Sequence, residues 1–142
     1  RVVKSPKLYF LDTGLLCSLL GISSEEQLSL HPLRGAIFET YVASEIIKYR
    51  FNRVLDHSLY FYQNSSGKEI DFLIEQGSVV KPIEVKSSRS FNKSFLSNID
   101  YYLSLPNNRA SSPAVIYCGS ERFHNKGTTI SPIDLLPEEL GR

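Results

Sequence analysis

Glu69-Ile70-Asp71-Phe72-Leu73-Ile74-Glu75-Gln76-Gly77-Ser78-Val79-Val80-Lys81-Pro82-Ile83-Glu84-Val85-Lys86 reads as two strands around a two-residue turn. Gly-Ser with glycine first suits a type II′ hairpin, whose first turn residue takes positive φ. That turn sets the register. Gln76 faces Val79, Leu73 faces Pro82, Phe72 faces Ile83, Asp71 faces Glu84 and Glu69 faces Lys86. Under strict alternation, Ile70, Phe72, Ile74, Ile83 and Val85 share one face. Glu69, Asp71, Glu84 and Lys86 share the other with Leu73, Val80 and Pro82. Pro82 falls in a non-hydrogen-bonded pair, where Leu73 does not need its missing N–H.

The register sets two carboxylates against each other. Directly opposed Asp71 and Glu84 would have Cβ atoms ~4.5–5.5 Å apart. Such a pair needs a shared proton, a basic neighbour or a divalent cation. Asp71, Glu84 and the carbonyl of Val85 suit Mg²⁺ or Mn²⁺, which prefer oxygen ligands. Lys86 can reach the same place and stabilise developing charge or orient a water. The plain alternative is surface ion pairing, Glu69 with Lys86 and Asp71 with a nearby base.

Upstream, residues 34–50 carry a helical pattern in which Phe38, Val42, Ile46 and Tyr49 recur. Glu39 has Val42, Ala43 and Ile46 as face neighbours, so it turns toward the apolar side and needs a partner. It is a third candidate acid, or simply a salt-bridged helix glutamate. Glu45 turns toward solvent. Residues 7–11 suggest a short strand. Asp12 or Thr13 caps a helix stopped by Gly21, and Ser23 to Gln27 has the look of a capping box. Further strands are expected at 59–63, 68–76, 79–87 and 114–118. A helix capped by Ser90 or Asn92 ends at Pro106, and a short last strand and a tail close the chain. The order predicts a mixed α/β sandwich, an antiparallel meander feeding a crossover helix.

The 142 residues are 42% hydrophobic and 22% charged, with a net charge of +1. That excludes a disordered chain, a disulfide scaffold and a domain-wide basic field for nucleic acid. Nucleic acid must then meet a local patch: Arg89 and Lys93, following Lys86, beside the helix N-terminus near Ser90. Tyr60 and Tyr62 either stack on bases or belong to the core. His31 reads as an ordinary loop histidine. No apolar run can span a bilayer and no signal peptide is visible. Cys17 and Cys118 read as free thiols in a reducing cytoplasm. Ser66-Gly67-Lys68-Glu69 lacks the upstream glycine and the following Ser or Thr of a P-loop, so no ATP site is expected. The lack of any methionine suggests the C-terminal part of a longer protein.

Helical Glu39, strand Asp71 and Glu84-Val85-Lys86 in the next strand together resemble the PD-(D/E)XK nuclease superfamily, with Ile70 where the motif name places proline. Lys7-Leu8-Tyr9-Phe10-Leu11-Asp12-Thr13-Gly14-Leu15-Leu16, Gly35-Ala36-Ile37-Phe38-Glu39, Gly67-Lys68-Glu69-Ile70-Asp71-Phe72 and Ile83-Glu84-Val85-Lys86 are similar to a nuclease-like domain of unknown function. That domain lies at the C-terminus of a bacterial and archaeal AAA-type ATPase family.

The resemblance implies a restriction-endonuclease-like mixed sheet flanked by helices. It implies Asp71 and Glu84 as metal ligands, Lys86 as catalytic lysine and Glu39 as accessory acid. Residues 1–30 would be the remnant of a winged-helix region and linker helix, with 7–11 its last wing strand, and 31–142 the nuclease-like domain. ATP would bind only an upstream ATPase domain of the same polypeptide. The expected function is Mg²⁺- or Mn²⁺-dependent hydrolysis of DNA or RNA. The alternatives are an inactive nuclease-fold module that docks nucleic acid or a partner protein, and a component of an antitoxin or defence system. A homo-oligomer stays open, and no membrane partner is expected.

Overall fold

Gly77 has φ +65°, a conformation that costs glycine nothing, and the hairpin closes at Gly77-Ser78. The computed structural model describes residues 6–56 and 59–141. Strand β2 (Glu69–Gln76) pairs antiparallel with β3 (Val79–Lys86) in the expected register, from Gln76 against Val79 to Phe72 against Ile83. Pro82 lies opposite Leu73 as expected.

The preceding strand β1 (Leu59–Gln63) completes the meander on the other edge of β2. A 3-10 turn (Lys93–Leu96), capped by the Asn92 side chain on Ser94 N–H, leads into helix α4 (Ser97–Leu103). Helix α4 carries the chain across to β4 (Ala114–Tyr117), parallel to β3. The sheet continues through β6 (Thr128–Pro132), parallel to β4, to the edge strand β5 (Phe123–Asn125). The result is a six-stranded mixed sheet in the order β1-β2-β3-β4-β6-β5, an α/β architecture flanked by helices.

Three helices precede the sheet. In α1 (Thr13–Leu19), the Asp12 side chain accepts the Leu15 N–H. In α2 (Glu25–Leu30), Ser24 accepts from Gln27 N–H while the Gln27 side chain accepts from Ser23 N–H, the reciprocal capping its sequence announces. The long α3 (Arg34–Phe51) packs Val42, Ala43 and Ile46 on Phe72, Ile74, Ile83 and Val85. On the opposite face, Leu96 and Ile99 pack on Ile70, Val115, Tyr117 and Ile130. A C-terminal helix, α5 (Leu136–Leu140), adds Leu136 and Leu140 to the α3 layer.

Two expectations change here. Residues 7–11 form no strand, wing or otherwise: Pro6 has no N–H, and the segment runs over the sheet as an irregular strap. Ile70 does not share a face with Phe72. Tyr60 pairs with Leu73 but Tyr62 with Ile70, so Asp71 and Phe72 together oppose the single residue Phe61. This β-bulge reverses the parity of β2, placing Ile70 in the α4 layer and Phe72 in the α3 layer. The closing hairpin and α5 also exceed the simple strand and tail expected there.

Candidate metal centre

The bulge decides where Asp71 goes. In an unbroken ladder the Val85 N–H would meet the Ile70 carbonyl. Instead it donates to Asp71 Oδ2 at 2.8 Å. Asp71 therefore sits where β2 and β3 part, its carboxylate replacing a backbone acceptor. It does not face Glu84 directly as a regular ladder requires. Glu84 and Lys86 lie beside Val115 and Tyr117 in the parallel register with β4, on the α4 face, while Glu39 arrives from α3. The acids thus approach the parting of the strands from both sides of the sheet.

Glu39, Glu69 and Asp71 each present a carboxylate oxygen, and these oxygens lie within 4.8 Å of one another, near enough to share one cation. Glu39 has the partners its half-buried position calls for. Tyr9 donates its hydroxyl at 2.5 Å, and Lys7 Nζ lies at 3.2 Å. Lys7 also pairs closely with Glu69, which is therefore not the partner of Lys86. Lys86 instead donates to Glu84 Oε2 at 2.7 Å. The other oxygen of Glu84 is buried without a hydrogen bond of normal geometry, although the Asn98 side chain is near enough to favour the carboxylate.

These groups sense one another. Burial, then the charges of Glu84 and Glu39, push the Asp71 carboxyl up to about 7, against the Val85 N–H and Lys86. Burial also raises Glu84, although Lys86 opposes it. Burial pulls Lys86 down, but Glu84, Asp71 and Glu39 outweigh it and hold the ammonium above its usual range. Lys7 is held up in the same way by Glu69 and Glu39. The Tyr9 phenol is raised by burial and by its bond to Glu39. A cavity of about 320 Å³ beside Asp71 lies between the strap, at Lys7 and Tyr9, and Ala43 and Phe72 of the α3 layer.

The structure brings Glu39 and Asp71 together, with Val85 contributing its N–H, while Glu84 and Lys86 pair with each other outside the three-carboxylate group and act on Asp71 through their charges. It adds Glu69, Lys7 and Tyr9. Pairings 30 and 62 residues apart in sequence carry no local signal, although Lys7 and Tyr9 lie in a quoted stretch. Arg89 lies 3.8 Å from Glu25, and Lys93 is exposed at the start of the 3-10 turn. Tyr62 packs edge-on against Tyr102, and Tyr60 is exposed. The His31 ring accepts the Leu33 N–H. The cysteines are free, and both border a separate cleft of about 400 Å³ with Arg34, Arg89, Glu25 and Asp134.

The comparisons with known proteins agree on kinship and are silent on chemistry. Residues 34–136 match the domain of unknown function DUF4143, and the chain belongs to that family. Uncharacterized proteins of Mycobacterium bovis and Mycobacterium tuberculosis are each 29% identical to it over 133 residues, which is 92% of this chain. The chain spans only 28% of the length of each. Among the described residues, no helix is long and apolar enough to cross a membrane.

Proposed function

We propose that this domain is a PD-(D/E)XK-type nuclease module that hydrolyses phosphodiester bonds of DNA or RNA with Mg²⁺ or Mn²⁺. The observation that carries the reading is the meeting of Glu39 and Asp71 where β2 and β3 part, with the Glu84–Lys86 pair near enough for its charges to act on Asp71. Asp71 and Glu84 would hold the metal, with Glu39 as the accessory acid. The buried Glu84 oxygen that lacks a hydrogen bond is the kind of donor a cation satisfies. Burial first, and then the charges of Glu84 and Glu39, raise the Asp71 carboxyl, and a bound cation would offset both. The bound cation would supply an activated water and polarise the phosphoryl group.

The chain's own residues have defined tasks. Asp71 keeps its bond to Val85 N–H, fixing one oxygen and leaving the other free. Lys86, held protonated by Glu84, offers its ammonium to the charge that develops on the phosphate. In this reading the cytoplasmic protein carries an AAA-type ATPase domain elsewhere in its length, and nucleic acid approaches past Arg89 and Lys93. The non-catalytic alternative, a docking module, draws support from Lys7, whose ammonium occupies the acidic cluster.

The test is cleavage of labelled single-stranded DNA, duplex DNA and RNA with Mg²⁺, Mn²⁺ or EDTA. The reading expects metal-dependent products from the wild type and none from Asp71→Ala, Glu84→Ala or Lys86→Ala. Binding without cleavage in every arm supports the docking module instead.

A further inference from the structure

We infer that Lys7 is an internal cation that guards the metal centre, so that loading a divalent ion displaces the Lys7 ammonium and loosens the strap that carries it. This rests on the metal-site reading above and adds how that site is controlled. Four carboxylates, Glu39, Glu69, Asp71 and Glu84, face two ammoniums, Lys7 and Lys86. Lys7 lies 3.2 Å from Glu39 and bonds Glu69 closely, so it holds two of the three carboxylates whose oxygens lie within 4.8 Å of one another. A divalent ion held on Asp71, whose carboxylate lies within 4.8 Å of those of Glu39 and Glu69, would sit close to the Lys7 ammonium, and like charges at ~4 Å repel strongly in a partly buried site. The buried Glu84 oxygen without a hydrogen bond of normal geometry is a separate sign, on a carboxylate that Lys7 does not touch, of a place for a cation near Asp71.

The strap is built to let go. It carries no strand pairing, and Leu8 and Leu11 are 85% and 62% exposed. Among the described residues its polar hold comes from Lys7, on the acids and over the Phe61 ring, and from Tyr9, whose hydroxyl bonds Glu39 and whose ring lies 5.7 Å from Phe72. Losing the Lys7 contacts removes one of these two anchors, while the cavity beneath the strap leaves room for its rearrangement. A ligand or neighbouring domain that pulls on the strap then raises metal affinity, and metal in turn weakens the strap's hold, by the reciprocity of linked equilibria.

The direct experiment is reductive methylation of the full chain, followed by mass spectrometry of the peptide containing Lys7, with and without Mg²⁺. The parallel experiment is Mn²⁺ binding by electron paramagnetic resonance to wild type, Lys7→Gln and the charge control Lys68→Gln. Lys68 neighbours Glu69 in sequence but lies over the Tyr101 ring. The expected result is faster methylation of Lys7 with Mg²⁺ and Mn²⁺ affinity about tenfold higher in Lys7→Gln, with little change in Lys68→Gln. Equal Mn²⁺ affinity in wild type and Lys7→Gln, with Lys7 equally protected in Mg²⁺, overturns the guard and leaves the metal site standing. Absence of Mn²⁺ binding in both proteins overturns the metal site and the guard together.

Discussion

Asp71 accepts the Val85 N–H at 2.8 Å, so one carboxylate does the work of a backbone carbonyl at the end of a β-ladder. This bond couples fold and charge at a single residue, and two substitutions separate its roles. Asp71→Asn keeps an oxygen for Val85 and removes the charge. Asp71→Ala leaves a buried N–H without its acceptor, which costs ~1–3 kcal/mol. Urea unfolding of the metal-free protein at pH 8 is expected to rank Asp71→Asn above wild type and Asp71→Ala below Asp71→Asn.

The pH dependence of the metal-free protein follows from the same residue. Unfolded Asp71 titrates near 3.8, whereas burial, Glu84 and Glu39 raise it to about 7 in the fold. Between these values the folded state holds a proton that the unfolded state has lost. Stability therefore falls as pH rises through that window and levels off above it. Glu84, shifted in the same direction, adds to the slope. Denaturation midpoints measured from pH 4 to pH 8 are expected to decline, with a shallower decline in Asp71→Asn. A rising profile contradicts the assignment of these acids.

Lys86 has a task separable from metal binding. Its ammonium bonds Glu84, and its removal takes a positive charge away from the proposed ligands. Lys86→Met is expected to bind Mn²⁺ at least as well as wild type while losing about a hundredfold or more in cleavage rate. Loss of Mn²⁺ binding together with cleavage would place Lys86 in the support of the metal rather than of the reaction.

A second buried charge cluster is structural. Lys81 and Glu139 are each 1% exposed with their charged atoms 3.7 Å apart, and Arg122 approaches Glu139 to 2.5 Å. Together they bind β3 to the C-terminal helix. Glu139→Ala removes the carboxylate both cations share and is expected to cost about 3 kcal/mol of unfolding free energy. Its Mn²⁺ affinity in the folded state should match wild type, which distinguishes this cluster from the candidate centre.

The hairpin was readable because Gly77-Ser78 leaves one sensible register, and its pairings from Gln76 to Phe72 follow. Glu39 was readable because an acid beside Val42, Ala43 and Ile46 needs a partner. The bulge was hidden: Ile70, Phe72 and Ile74 preserve an unbroken apolar alternation although Ile70 belongs to the other layer. Strict alternation therefore sets Asp71 against Glu84, whereas in the structure Asp71 turns to the Val85 N–H beyond the last β2–β3 pairing. The β5–β6 hairpin was obscured by a three-residue strand and by a Lys126-Gly127 turn in which both residues take positive φ. Asn-Gly would have announced such a turn; Lys-Gly does not. The strap's role depends on tertiary contacts alone, so the aromatic run around Lys7 looked like a strand.

Calorimetric titration of Mn²⁺ into the full chain tests the central claim most directly. The account predicts saturable binding to the wild type, accompanied by proton release near pH 7 as the metal displaces the proton held on Asp71. It also predicts loss of that binding in both Asp71→Ala and Glu84→Gln. Undiminished binding in those variants, or no binding in the wild type, contradicts a metal centre at the parting of β2 and β3.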